Sequence, residues 1–120
     1  MRTPVQHIDL VPTILALIGQ PAPSSLRGRS LAPLLSGTGP IADEAIYSEA
    51  LYARYHFDWS ELVALTDPRY RYIKAPHDEL YDLDRDPHEI RNLNRSRTYA
   101  ATRERLRREL RRLVTEAVGL

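Results

Sequence analysis

Apolar residues near the N-terminus recur with the period of an α-helix. The i, i+4, i+7, i+8 spacing places them on one face and predicts a helix over residues 7–18 that buries this face. Pro12 suits the first turn, Asp9 is placed to accept hydrogen bonds from the free amides there, and Gly19 followed by Pro21 ends the helix. The apolar set consists of Leu10, Ile14, Leu17 and Ile18.

From residue 44 the hydrophobic period changes to two, which is typical of half-buried strands. The intervening loops are rich in proline and glycine, and residues 30–35 predict one short helical turn capped by Ser30. The joints between the later strands are too short for parallel crossovers, so the strands are expected to form an antiparallel meander of three or four strands. The predicted strands are 44–50, 62–65, 70–75 and 79–83.

The last and longest periodic segment predicts a helix from Ser96 or Thr98, either of which can cap it, to about Val118, with Gly119 at its end. Two helices flanking one small antiparallel sheet give an α+β fold. The apolar stripe of this helix consists of Leu106, Leu110, Leu113, Val114 and Ala117.

The composition indicates one domain over residues 1–120, with 42% hydrophobic and 28% charged residues. Within it, residues 1–40 form a helix and a Pro/Gly-rich linker, 44–94 the strands and 96–118 the second helix. No cysteine is present, which excludes disulfides and thiolate chemistry. No apolar stretch is long enough to span a membrane, and no secretory leader is expected, because Met1 is followed by mixed polar sequence.

The second helix is rich in arginine, a residue that outnumbers lysine sixteen to one in the chain. Nucleic-acid binding is nevertheless not favoured, because the net charge is only +1 and glutamates are interleaved at pairing distances. The predicted pairs are Glu104 with Arg108, Arg105 with Glu109, and Arg112 with Glu116.

Self-sufficient catalytic and metal-binding patterns are not found in the sequence. The acidic run over residues 82–86 resembles a calcium loop, but Pro87 and Leu93 occupy positions that require glycine and glutamate. These acids are expected to end a strand and cap a following turn instead. The four histidines lack zinc-binding spacing, and no serine has the context of a nucleophile elbow. The sequence therefore predicts no catalytic residue and no metal ligand.

The segment from Tyr52 to Ser60 combines aromatic and ionisable side chains without strand or helix periodicity. An irregular loop of this composition is typical of a ligand-pocket wall, and packing of its aromatic rings onto the core is an equal alternative.

Six segments in register over residues 5 to about 93 resemble the C-terminal part of bacterial sulfatases of the arylsulfatase type. A further stretch, HFDWSEL over residues 56–62, is similar to an HFGWSEL sequence in a subgroup of that family, with Asp58 where the family has glycine. The six segments are HIDLVPTILALIG (7–19), LRGRSLAPLLSG (26–37), YSE (47–49), YRYIK (70–74), ELYDL (79–83) and DPHE with NL (86–93).

The resemblance implies a chain that lacks the catalytic domain and is inactive alone. Formylglycine and a divalent metal, usually calcium, belong to the family's N-terminal catalytic domain, and none of their residues can be assigned here. Arg54, His56 and Trp59 are expected to shape the pocket for a sulfated small molecule or glycan. The expected partner is the catalytic domain, or a second copy, bound through an exposed apolar face. Alternatives are a free-standing module that binds anions through the arginine-rich helix, and a truncated gene product.

Overall fold

The computed structural model describes residues 3–118, with only the backbone described at 117 and 118. The chain divides after Glu44 into two compact units. The first consists of helices and loops, and the second of a four-stranded sheet with two helices. The predicted α+β fold, with one antiparallel sheet, an N-terminal helix and a long C-terminal helix, is confirmed. No helix in the described part of the chain is long and apolar enough to cross a membrane.

The first unit begins with the predicted helix, whose first turn is of the 3₁₀ type. This turn, His7–Asp9, leads into α1, Leu10–Leu17. Gly19 follows in the left-handed conformation with φ 72°, which favours glycine. The predicted short turn is α2, Ala32–Ser36, and the Ser30 hydroxyl accepts a hydrogen bond from the Ala32 amide at 3.2 Å.

Asp9 joins the start of α1 to the loop that follows the helix. Its buried carboxylate accepts hydrogen bonds from the Gln6 and Arg29 amides, each at 3.0 Å. Asp9 therefore caps the first helical turn, as predicted, through the amide of Gln6 at the start of the 3₁₀ turn, and its second oxygen binds the Arg29 amide of the loop. The same side of the helix carries Thr13, whose hydroxyl accepts a hydrogen bond from the Leu31 amide at 2.9 Å.

Gly28 permits this close approach of loop and helix. A Cβ atom at this position would lie 1.9 Å from the Ile8 carbonyl oxygen. Any other residue would push the two backbone segments apart.

The apolar face of α1 is exposed on this chain, which agrees with the expectation of an exposed apolar face. The side chains turned toward the loop are Asp9, Pro12 and Thr13, because the polar contacts are made there. The apolar side chains on the remaining surface are more than half exposed: Leu10 55%, Ile14 57%, Leu17 61% and Ile18 64%.

The sheet of the second unit has four antiparallel strands in the order β1-β2-β3-β4. The four predicted strands are confirmed to within two residues at their ends. Leu65 lies opposite Tyr47 on one side and Tyr72 on the other, and Tyr72 lies opposite Leu80. These side chains share one face of the sheet, since alternate residues of a strand point to the same side. The strands are β1 Ile46–Ala50, β2 Leu62–Thr66, β3 Tyr70–Lys74 and β4 Glu79–Asp82.

The helix α4, Ala100–Val118, follows a 3₁₀ turn at Arg97–Tyr99. The predicted cap is wrong, because the helix is entered through this turn and the Ser96 side chain makes no capping hydrogen bond. The buried core joins α4 to one face of the sheet, as the apolar stripe predicts. It consists of Val63, Leu65, Tyr72, Leu80, Leu106 and Leu110. Gly119 and the side chain of Ala117 lie outside the described residues.

The ion pairs of α4 agree only in part with the prediction. Arg112 pairs with Glu116 at 2.5 Å, as expected, and also with Glu109 at 2.6 Å. Arg105 pairs with Asp67 at 2.7 Å rather than with Glu109. No ion pair joins Glu104 and Arg108 in the part of the chain that the structure describes.

The acidic run ends a strand and caps a turn, as predicted. The Asp82 carboxylate, which is buried, accepts a hydrogen bond from the Arg69 guanidinium at 2.9 Å. The Asp86 carboxylate accepts hydrogen bonds from the Ile90 and Arg91 amides at 3.1 and 2.7 Å. These carboxylates are thus committed to donors of the chain itself.

Replacing Asp82 by asparagine removes the anionic partner of Arg69. The Arg69 guanidinium holds the pKa of the Asp82 carboxyl below its usual range, so the unfolded state binds this proton more readily. The stabilisation is present above about pH 4–5 and is lost as pH falls through the folded-state pKa. We expect Asp82→Asn to lower the free energy of unfolding at neutral pH by about 1–3 kcal/mol and to flatten its acid dependence, measured by urea unfolding across pH.

The control is Asp84→Asn, because Asp84 lies 3.8 Å from the same arginine with a side chain that is 68% exposed. We expect a change within about 0.5 kcal/mol there. An unaltered acid dependence in Asp82→Asn would contradict the assignment.

Candidate functional site

The aromatic segment between β1 and β2 is partly helical. It forms α3, Tyr52–Phe57, which corrects the prediction of an irregular loop. Asp58 ends the helix in the left-handed conformation with φ 53°, and its amide donates to the Arg54 carbonyl at 3.1 Å. Aspartate tolerates this conformation better than most residues and worse than glycine, the residue that the related stretch has at this position.

Four rings of this segment form an exposed aromatic cluster, consisting of Tyr52, His56, Phe57 and Trp59. The His56 ring lies 4.2 Å from that of Tyr52, and the Phe57 ring lies 5.4 Å from that of Trp59, measured between centroids. Tyr52, Phe57 and Trp59 are between 57% and 69% exposed. The rings therefore contact one another and solvent, and the alternative that they pack onto the core is excluded.

The three predicted pocket residues are divided between two sides of the segment. Arg54 and Trp59 line a depression of about 410 Å³ together with Lys74. Arg54 also forms an ion pair with Glu61. His56 does not line this depression and contacts Tyr52 instead. The structure thus brings Arg54 and Trp59 together and leaves His56 in the aromatic cluster.

A larger groove, with a volume of about 740 Å³, lies between α3, the sheet and α4. Its apolar lining includes Val63, Leu110 and Val114, and its charged lining includes Arg107 and Arg111. Sequence reasoning missed this groove, because it depends on which turn of α4 lies over which strand. The one sequence feature that pointed to the groove was the placement of Lys74, another lining residue, on the same strand face as Tyr72.

The groove's carboxylates are held by donors of the same chain. Glu49 accepts a hydrogen bond from the Tyr47 hydroxyl at 2.6 Å, and Asp78 accepts one from the Tyr72 hydroxyl at 2.7 Å. Burial and the contact with Glu49 raise the pKa of Tyr47 to about 12. Burial, followed by the contact with Asp78, also raises the pKa of Tyr72. Both hydroxyls keep their protons near neutral pH and act as donors.

Metal-binding geometry is not found among residues 3–118, where no group of three or more histidine, aspartate or glutamate side chains is placed to hold an ion. What the arrangement offers chemically is binding, through aromatic faces, hydroxyl donors and cations.

Comparison with known proteins places the chain in a family. Residues 1–116 match the family described as N-sulphoglucosamine sulphohydrolase, C-terminal. The fold and this match define the class, a sulfatase C-terminal domain of the alkaline phosphatase superfamily. The chain belongs to the N-sulphoglucosamine sulphohydrolase C-terminal family. The resemblance drawn from the six sequence segments is thereby confirmed.

Individual relatives agree with this placement. The chain is 30% identical over 108 residues to a Delta 4,5-hexuronate-2-O-sulfatase of Bacteroides thetaiotaomicron, covering 82% of this chain and 22% of that protein. The structure of a 2-O GAG sulfatase superposes with a TM-score of 0.76 at 28% identity, covering 90% and 24% of the two chains. A phosphonate monoester hydrolase from Silicibacter pomeroyi superposes with a TM-score of 0.73 at 27% identity, covering 97% and 26%. The chain spans about a fifth to a quarter of the length of these relatives.

Proposed function

We propose that this chain serves as the C-terminal part of an enzyme that hydrolyses sulfate esters to an alcohol and sulfate. The observation that carries the proposal is the match of residues 1–116 to the C-terminal domain of a sulfohydrolase family. The related Bacteroides thetaiotaomicron protein, a Delta 4,5-hexuronate-2-O-sulfatase, supports a sulfated glycan as the substrate class.

The chemistry of the reaction indicates what the catalytic domain and this chain each contribute to the proposed enzyme. Cleavage of a sulfate ester needs an activated nucleophile and a cationic or metal clamp on the developing negative charge. In the proposed enzyme a catalytic domain supplies both, as formylglycine and a divalent cation such as calcium. This chain contributes a folded support and a surface at the mouth of the substrate site.

The apolar face of α1 is the surface proposed to bind the catalytic domain. Leu10, Ile14, Leu17 and Ile18 are each more than half exposed, and burying one such side chain contributes roughly 1.5–3 kcal/mol. The covering partner is assigned to the catalytic domain because relatives of this chain are about four times as long. A second copy of this chain is the competing occupant.

Removing this apolar face is expected to suppress hydrophobic-dye binding and self-association. We expect the 120-residue chain to bind a hydrophobic dye and to elute as aggregates on size exclusion, and Ile14→Glu with Leu17→Glu to reduce both several-fold, roughly in proportion to the apolar area removed. The control is Ile90→Glu, which alters an apolar side chain that is 83% exposed outside α1. A chain that is monomeric and binds no dye would count against the docking surface. Discrete dimers lost in the double variant would assign the face to a second copy.

Arg54, His56 and Trp59 are proposed to contact the substrate in the intact enzyme. Arg54 carries a guanidinium that suits bidentate contact with a sulfate or carboxylate. Trp59, which is 68% exposed, offers a face for a sugar or aryl ring. Arg54 and Trp59 act together across the depression that they line, and His56 extends the surface through its stacking on Tyr52.

Trp59→Ala in the full-length enzyme tests this surface. Loss of one ring contact is expected to raise KM for 4-nitrophenyl sulfate by up to about tenfold, while kcat changes little, because stacking stabilises ground and transition states alike. Trp59→Phe is expected to retain most of the affinity. Ile90→Ala is the exposed apolar control, and an unchanged KM in Trp59→Ala would remove Trp59 from the substrate surface.

The size and activity of the native polypeptide test the proposed function itself. An antibody against the helix segment 103–112 is used to isolate the protein from its source cells for intact mass spectrometry. We expect a species about four to five times larger than 13.8 kDa, with a formylglycine in its tryptic peptides and with hydrolysis of 4-nitrophenyl sulfate, an activity absent from the 120-residue chain. A native species of 13.8 kDa with no associated catalytic chain would overturn the proposal in favour of a free-standing module or a truncated product.

A further inference from the structure

Three cations that line the groove between α3, the sheet and α4 have side-chain nitrogens without a hydrogen-bond or ion-pair partner among residues 3–118. They are Lys74, Arg107 and Arg111. Among residues 3–118, no hydrogen bond or ion pair engages these nitrogens, although α4 carries other arginines that are paired with acids. The groove therefore collects three cations that make no direct contact with an acid of the described residues.

Arg107 and Arg111 lie near Tyr72, and Lys74 lines the same groove. Arg107 and Arg111 are four residues apart on α4 and so lie on the same helix face. Both are close enough to Tyr72 for their charges to act against the rise in its pKa. Lys74 lies two residues beyond Tyr72 on the same strand, so its side chain is on the same face. Helix and strand thus both contribute cations to the lining of the groove.

The acids that line the groove with these cations already accept hydrogen bonds from other side chains. Asp78 accepts the Tyr72 hydroxyl, Glu49 accepts the Tyr47 hydroxyl, and Glu61 pairs with Arg54. The lining therefore carries four cations against three carboxylates, and each carboxylate has a donor of its own. An incoming anion meets the unpaired cations.

The rest of the lining suits a ligand with a carbon skeleton. Val63 and Leu110 form an apolar floor that is nearly fully buried. Tyr55, with 74% of its surface exposed, stands at the rim. An exposed aromatic ring beside hydrogen-bond donors and cations is a frequent arrangement in ligand sites, and a volume of about 740 Å³ is within the range of small-molecule sites.

We propose that this groove is a second binding site, for an anionic saccharide unit that bears a sulfate or carboxylate. Lys74, Arg107 and Arg111 bind the anionic group, and Tyr55 contacts the sugar ring. The choice of a saccharide over other small anions rests on the proposed function, whereas the anion site rests on the groove alone. The site adjoins the depression lined by Trp59, because Arg54, Glu61 and Lys74 border both, whereas Arg107, Arg111 and Tyr55 line the groove and not the depression.

Calorimetric titration of the 120-residue chain with a heparin-derived sulfated disaccharide tests this site. The desulfated disaccharide and inorganic sulfate are titrated in parallel, and all titrations are made at low and at physiological ionic strength. We expect saturable binding of the sulfated disaccharide that is tighter than binding of either reference compound. The affinity is expected to fall with added salt, because screening weakens contacts between exposed charges.

Two arginine double variants separate the groove from the general charge of α4. Arg107→Ala with Arg111→Ala removes the groove's arginines, and Arg105→Ala with Arg108→Ala removes the same charge from the helix outside the groove. Because loss of a charge-assisted contact commonly costs about tenfold or more in affinity, we expect the first double variant to raise Kd by roughly that factor. The second is expected to leave Kd within about twofold. All four side chains are exposed, and circular dichroism verifies that both variants fold.

Several results would overturn the proposal. An equal loss in both double variants would attribute binding to the helix charge. Equal binding of inorganic sulfate and the disaccharide would exclude a saccharide site. Tighter binding of a DNA duplex, lost in both variants, would assign α4 to nucleic acid. None of these results changes the mass or activity of the native polypeptide, so failure of this site and failure of the proposed function are distinguishable.

Discussion

Packing of α4 across one face of the sheet is the constraint on which the second unit depends. Leu106 and Leu110 are almost fully buried against Leu65 and Tyr72. Because residues two apart on a strand share a face, this packing also determines on which face of the sheet each remaining strand residue lies. Tyr72 is held in the core while Lys74, two residues later, emerges at the rim of the groove. The cationic groove thus lies where the apolar contact between α4 and the sheet ends.

The first unit is organised by polar contacts instead. The buried carboxylate of Asp9 and the hydroxyl of Thr13 bind amides of the loop that passes over α1. Because this side of the helix is occupied by the unit's own loop, the apolar side is left without a cover. Intrinsic helix propensity contributes little in so short a helix, so a covering domain that buries this face would also stabilise α1.

Much of the fold could be predicted from hydrophobic period, since α1, α4 and the four strands all have a clear one. Period indicates which side of a helix is apolar but does not identify what lies against it, so the expectation of an exposed face on α1 came from the resemblance to part of a larger enzyme. The six-residue α3 is too short to display a period. Of the candidate site, the aromatic segment could be predicted from composition and the proposal for Arg54, His56 and Trp59 comes from resemblance, whereas the proposed roles of Arg107 and Arg111 depend on long-range packing.

Lys74 gives the groove a chemical handle. It is the only lysine among seventeen basic residues, and its side chain borders both the groove and the depression beside Trp59. Amine-directed acylation or reductive methylation therefore has one internal target in this sequence, since guanidinium groups stay protonated and unreactive under these conditions. A fluorophore or an isotopic methyl label would reach this position without any engineered cysteine. Because the other basic side chains are arginines, an amine-directed label can be placed selectively at the junction of the groove and the depression.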